Sequence, residues 1–282
     1  MDKIAVLVDS CCDLPKEYLE KTGIYELPMQ ITYHDKTYLD RVEISAEEVY
    51  QNLPVEIPKT SLPSGESIQE TLNKIAQDGY DQIISISVSS ALSGTFNFLK
   101  VFLEDDDRFK TAYYDTKQVA VAAGLIAVGA KDMIDAGKSF EEVCQHVEKM
   151  IKNTVVYFCI PTLTYLRAGG RISATAAAVG GMLKLAPIIT CKPDGSYTIA
   201  AKARGMKKGQ KLLLNLAQEF LGPDKDYLLA VGHGADEAGG QKMLDLLHDN
   251  DIKGQQEFLG QVGPALGVHT GPGLIGIGIV KI

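Results

Sequence analysis

Asp81-Gln82-Ile83-Ile84-Ser85-Ile86-Ser87-Val88-Ser89-Ser90-Ala91-Leu92-Ser93-Gly94-Thr95-Phe96 carries the reading of the fold class. Asp81 to Val88 reads as a buried strand, an apolar run bounded by turn residues. Gly94 to Leu103 has the apolar spacing of a helix. The join places Ser93 and Thr95 at a helix N-terminus, just beyond the C-terminal end of a strand. Open α/β sheets hold their ligands there. Free backbone N–H groups and the helix dipole favour an anion such as a phosphate or carboxylate. An ordinary Ser/Thr helix cap uses the same residues, so the stretch alone leaves both readings open.

Outward from this unit, strands and helices alternate. Ile4 to Asp9 is a continuous apolar strand, followed by the turn Asp9-Ser10-Cys11-Cys12-Asp13-Leu14-Pro15. Ile24 to Tyr38 reads as strand and hairpin, turning at His34-Asp35-Lys36. Ser45 with Glu48 and Ser139 with Glu142 are capping boxes. Pro58 to Gly65 reads as a polar loop too rich in proline for regular structure. Strand Lys110 to Tyr114 and helix Gln118 to Ala136 continue the alternation, which predicts a parallel, helix-covered sheet. After about Lys152 the pattern changes. Leu185 to Cys191 and Tyr197 to Ala203 flank the hairpin turn Pro193-Asp194-Gly195. Strand–helix units and a final strand, Leu274 to Lys281, follow. The expectation is an α/β protein in two domains, 1–155 and 156–282. The first is a parallel-sheet α/β domain, the second an α+β domain with a mixed or antiparallel sheet.

Composition narrows the functional classes. The chain has 282 residues, 45% apolar and 23% charged, ordinary for a globular protein large enough to bury a sizeable core. A net charge of −8 argues against nonspecific nucleic-acid binding, which needs a basic surface. An anionic ligand must therefore be attracted locally. Met1 to Ala5 starts a strand without the pattern of a signal peptide. The apolar run Ala174 to Ile189 is shorter than the ~20 residues of a membrane span and contains Lys184. Five cysteines without a CxxC pair suggest reduced thiols in a cytoplasmic protein. The scattered histidines form no metal motif.

Gly271-Pro272-Gly273-Leu274-Ile275-Gly276 matches GxGxxG formally, but too little chain follows it for a dinucleotide-binding unit. No Walker A sequence or G-x-S-x-G elbow occurs. His269, in Gly267-Val268-His269-Thr270-Gly271, reads as a glycine-flanked loop histidine open to close approach. Taken singly, Thr60 and Ser61 read as turn residues, and Arg171 and Arg204 as surface cations.

Together, five stretches make the chain resemble the DegV family, which includes the fatty-acid-binding subunits of bacterial fatty acid kinase. They are Asp9-Ser10-Cys11-Cys12-Asp13-Leu14-Pro15, Thr60-Ser61-Leu62-Pro63-Ser64, Ser89-Ser90-Ala91-Leu92-Ser93-Gly94-Thr95, Gly169-Gly170-Arg171-Ile172-Ser173 and His269-Thr270-Gly271-Pro272-Gly273. They span nearly the whole chain in the family's order.

The resemblance implies a long-chain fatty acid buried between two domains, its carboxylate held by Thr60, Ser61, Ser93 and His269, with Thr95 assisting. It implies no catalysis by this chain and no cofactor or metal. A separate ATP-dependent kinase subunit would convert the presented carboxylate to an acyl phosphate for phospholipid metabolism, with transient membrane contact during lipid exchange. Arg171 and Arg204 become candidates for docking the kinase or bracing the site. Lining candidates are Ala174 to Leu185 and Gln118 to Ala130, and Ala168 to Met182 is expected to move during exchange. Two other readings stay open: a serine-dependent acyl hydrolase using Ser93 and His269, and a small-anion or sugar-phosphate enzyme using the same helix start.

Overall fold

The computed structural model describes residues 3–34, 36–172 and 185–282. In chain order, β1 (Ile4–Asp9) leads through a 3-10 turn (Ser10–Cys12) to α1 (Lys16–Thr22), β2 (Tyr25–Leu27), β3 (Gln30–Thr32) and β4 (Thr37–Leu39). Then come α2 (Ala46–Asn52), β5 (Lys59–Ser61), α3 (Gly65–Gln77), β6 (Gln82–Ser87), α4 (Thr95–Glu104), β7 (Lys110–Asp115), α5 (Val121–Asp135) and α6 (Phe140–Lys152). The rest of the described chain holds β8 (Thr154–Cys159), α7 (Thr164–Ala168), β9 (Ala186–Cys191), β10 (Tyr197–Ala203), α8 (Met206–Leu221), β11 (Tyr227–His233), α9 (Glu237–His248), β12 (Glu257–Gln261), α10 (Pro264–Thr270) and β13 (Ile275–Lys281).

The first half builds a parallel sheet in the order β2-β1-β6-β7, and the second a mixed sheet in the order β10-β9-β8-β13-β11-β12. In the mixed sheet, β11 and β12 run parallel and the other neighbours antiparallel. This is the expected α/β architecture. The sheet changes between Lys152 and Thr154, so β8 belongs as a whole to the second sheet.

β1 and β6 are apolar throughout because both sheet faces are covered. Ala5, Leu7 and Ile83 pack under α3 and α4, while Ile4, Val6, Val8, Ile84 and Ile86 face α5. α5 is buried from Val121 to Ala130, as a helix apolar all round must be. It lies between the two sheets, in one core with Val8 and Ile86 on one side and Leu228, Ala230 and Val280 on the other. Small residues permit this. A Cβ at Gly124 would stand 2.3 Å from the Cys12 carbonyl oxygen, well inside contact distance. α8 and α9 cover the outer face of the mixed sheet. Both expected capping boxes form, at Ser45 with Glu48 and at Ser139 with Glu142.

Two local expectations are corrected. Lys59–Ser61, assigned to an irregular loop, is strand β5, pairing antiparallel with β3 in a third sheet, β4-β3-β5. A three-residue strand between prolines is too short to show a period, and only the partner β3 reveals it. His269 is not on a loop. It sits in the last turn of α10. Asp35 of the expected hairpin turn lies outside the described residues. So do Ser173 and Ala174 to Lys184, which cover most of one lining candidate and part of the segment expected to move.

Candidate functional site

The C-terminal ends of three parallel strands converge on one cavity. The 3-10 turn after β1 supplies Cys11, the loop after β6 supplies Val88, Leu92 and Ser93, and the loop after β7 supplies Val119. The opposite walls come from Thr60 on β5, Tyr197 on β10, Arg171 beyond α7, and Ala265, Leu266, His269 and Thr270 on α10. A second space shares Val119, Tyr197, Leu266 and Thr270 as walls and continues over β8, β11 and β13 past Val156, Phe158 and Ile277. The polar groups gather in the first chamber, and the second is almost wholly apolar.

At the polar end, His269 Nε2 and Thr60 Oγ1 are 2.8 Å apart. His269 Nδ1 is buried without a hydrogen-bond partner among the described residues. Burial, with Arg171 adding repulsion, pushes the imidazole down to about 4, so the ring is neutral at pH 7. Gly169 makes this packing possible, since a Cβ there would stand 2.1 Å from Nδ1. Ser93 Oγ lies 2.8 Å from Thr95 Oγ1 and accepts a weaker bond from Thr95 N at 3.3 Å. Thr95 is buried and also reaches Met29 Sδ at 3.4 Å. It supports Ser93 rather than lining the cavity. Arg171 is half-buried, donating from Nε to Leu92 O at 3.4 Å and from a terminal nitrogen to Gly169 O at 2.5 Å.

Thus Thr60, Ser93, His269 and Arg171, spread over more than two hundred residues of sequence, line one chamber. Ser61 does not join them. Side chains alternate along a strand, and where Thr60 meets His269, Ser61 is exposed. Arg204 is exposed just beyond β10. Of the helix proposed as lining, only Val121 and the preceding Val119 and Ala120 touch the cavities. Met29, Tyr197 and Leu266 lie outside the quoted motifs, since an isolated apolar residue carries no sign of what it faces. Among the described residues no cluster of three His, Cys, Asp or Glu side chains could hold a metal, and no helix is long and apolar enough to cross a membrane.

The serine-hydrolase arrangement is not assembled among these residues. The His269 nitrogen that would activate a serine is turned to Thr60, Ser93 is paired with Thr95, and no carboxylate orients the other nitrogen.

Fold and site together define an α/β protein with an amphipathic cavity between two sheets, apolar along its length and hydroxyl-lined at one end. Residues 3–281 match the family described as "Uncharacterised protein, DegV family", and a DegV domain-containing protein of Clostridium acetobutylicum is 38% identical over 100% of both chains. The chain belongs to the DegV family. Among solved structures it resembles a fatty-acid-binding DegV family protein of Thermus thermophilus (TM-score 0.91, 26% identity, covering 99% of this chain and 100% of that one). It also resembles a stearic-acid-binding protein of Eubacterium ventriosum (TM-score 0.88, 30% identity, 100% and 98%) and the fatty-acid-binding DegV of Bacillus subtilis (TM-score 0.88, 29% identity, 100% and 100%).

Proposed function

We propose that this protein binds one long-chain fatty acid, with its carboxylate at Thr60, Ser93 and His269 and its tail in the apolar chamber, and presents that carboxylate to a separate ATP-dependent kinase. The observation that carries the reading is the polarity gradient of the paired cavities, hydroxyls and imidazole at one end and aliphatic walls at the other. A tail of roughly 14 methylenes at about 0.8 kcal/mol each contributes on the order of 11 kcal/mol before association and ordering are subtracted. The walls therefore supply affinity and the polar end supplies orientation. A carboxylate buried there without donors would cost several kcal/mol. The Ser93 hydroxyl and the one proton left over from the Thr60–His269 hydrogen bond are suited to donate to it, and Arg171 adds a positive charge nearby.

The chain itself acts as a carrier, while the kinase supplies ATP and transfers phosphate to the presented oxygen. Arg204, exposed past β10, is assigned to docking the kinase, and Arg171 to bracing the polar end. Division into two domains, cytoplasmic location and brief membrane contact during lipid exchange belong to the same reading.

The test is reconstitution. Delipidated protein is loaded with hexadecanoic acid and incubated with ATP and a candidate kinase from the same organism, and acyl phosphate is trapped as the hydroxamate. Product that requires both proteins and falls in Ser93→Ala and His269→Ala supports the proposal. Hydrolysis of a chromogenic acyl ester by the chain alone, lost in Ser93→Ala, would overturn it in favour of a hydrolase.

A further inference from the structure

α10 carries His269 but cannot cap itself. Its N-cap, Gly263, has no side chain, and Pro264 at the first position has no N–H. The acceptors come from the other end of the chain. Gly263 N donates to Asp13 Oδ1 at 3.0 Å, and Ala265 N donates to Asp40 Oδ1 at 3.1 Å. Asp40 is fully buried, and its second oxygen accepts from Ser10 Oγ at 2.6 Å. Ser10 Oγ in turn accepts from Met29 N at 3.0 Å. The fit is close, since a Cβ at Gly263 would stand 2.7 Å from Asp13 Oδ1.

These are costly residues to bury. Asp9, Glu26 and Cys11 surround them, and the nearby cation, Arg41, pairs with Glu26 at 2.6 Å. Neither Asp13 nor Asp40 has an ion-pair partner among the described residues. A buried acid without an ion-pair partner stabilises a fold poorly, but at a helix N-terminus it meets the positive end of the dipole and satisfies orphan N–H groups. His269 follows Ala265 by four residues, about one helical turn, so a displaced first turn moves the ring.

We infer that Asp13 and Asp40 are positioning residues for the carboxylate end of the cavity, holding the N-terminus of α10 and thereby setting His269 against Thr60. This rests on the fatty-acid reading of the site. The two acids touch no ligand and act through the helix.

The test begins with ligand-free protein, where the His269 imidazole is followed by long-range nitrogen–proton NMR during a pH titration. In Asp40→Ala the ring is expected to gain solvent and titrate closer to its ordinary value. In Asp40→Asn, whose amide oxygen still accepts from Ala265 N, it is expected to titrate as in the wild type. Hexadecanoic acid and 1-hexadecanol are then titrated into the same proteins. Asp40→Ala should weaken the acid about tenfold, as for a lost hydrogen bond to a charged group, and leave the alcohol within about twofold. In a His269→Ala background the same substitution should change little, because residues acting through one another are not additive. Unaltered His269 titration in Asp40→Ala, equal weakening of acid and alcohol, or full additivity with His269→Ala would overturn the inference. Wild-type protein that binds no hexadecanoic acid, while Asp40→Ala still alters the His269 titration, would overturn the fatty-acid reading and leave the positioning role standing.

Discussion

Replacing Gly169 with alanine probes the packing of the polar end, because two effects of opposite sign compete there. Gly169 has φ −76° and ψ −10°, a conformation any residue adopts. At such a position Gly→Ala ordinarily stabilises by about 0.4–1 kcal/mol, by restricting the unfolded chain. Here the new methyl would stand 2.1 Å from His269 Nδ1 and 2.8 Å from Cε1. Reaching ordinary contact demands that the ring or the end of α7 retreat by roughly 1 Å or more. Overpacking of this kind costs about 1–3 kcal/mol, and the Nε2–Thr60 bond of 2.8 Å is stretched with it. The net expectation is destabilisation, with Tm lower by roughly 2–6 °C for a chain of this size. Loss or weakening of one hydrogen bond at the site should weaken hexadecanoic acid about three- to tenfold. Differential scanning calorimetry and a fatty-acid titration read the two quantities. A Gly169→Ala protein as stable as the wild type, or more so, with unchanged affinity would refute the placement of His269 against α7.

Thr60→Val should weaken fatty-acid binding several-fold, because it removes the hydroxyl that meets His269, while Ser61→Ala should leave it unchanged; equal effects would contradict the facing of β5. Gly232→Val should shift selectivity toward shorter chains. A Cβ there finds ordinary contacts with Val262 at 3.4 Å and Val121 at 3.9 Å, and a valine displacing about two methylenes costs 18-carbon acids roughly tenfold relative to 14-carbon acids, as read by competition binding. The buried acids give a pH signature. Desolvation raises Asp13 from 3.8 to about 7, so the folded chain holds that proton more tightly than the unfolded one. The stability it contributes is present at low pH and is lost as pH rises from about 4 to about 7. His269 works the other way, since burial depresses it to about 4 and stability is lost as pH falls from 6.5 to 4. Asp13→Asn should therefore gain Tm relative to the wild type between pH 5 and pH 8, and a parallel shift of both proteins would contradict the buried carboxyl.

The parallel half was legible because its signals are local. β1 and β6 read as unbroken apolar runs, Ser45 and Ser139 announce their helices, and the serine-rich join put Ser93 and Thr95 at the start of α4. α10 was not legible. Gly263-Pro264-Ala265-Leu266-Gly267-Val268-His269 is a poor helix former, and its stabilising acceptors, Asp13 and Asp40, come from the other end of the sequence. β5 was hidden for a similar reason, since its pairing with β3 is tertiary information. That loss also concealed the difference between Thr60 and Ser61, which only strand alternation separates. The five resembling motifs hold the residues of the polar end and three of the walls, Cys11, Leu92 and Thr270, but not the rest. Tyr197, Met29 and Leu266 acquire their role from the way the two sheets enclose α5 and the space beside it.

Native mass spectrometry of the purified protein, with lipid analysis of its organic extract, tests the central claim most directly. The account predicts a single fatty acid per chain, retained through purification and released on denaturation. A protein that emerges without lipid, and that takes up no added fatty acid of any chain length, would contradict it.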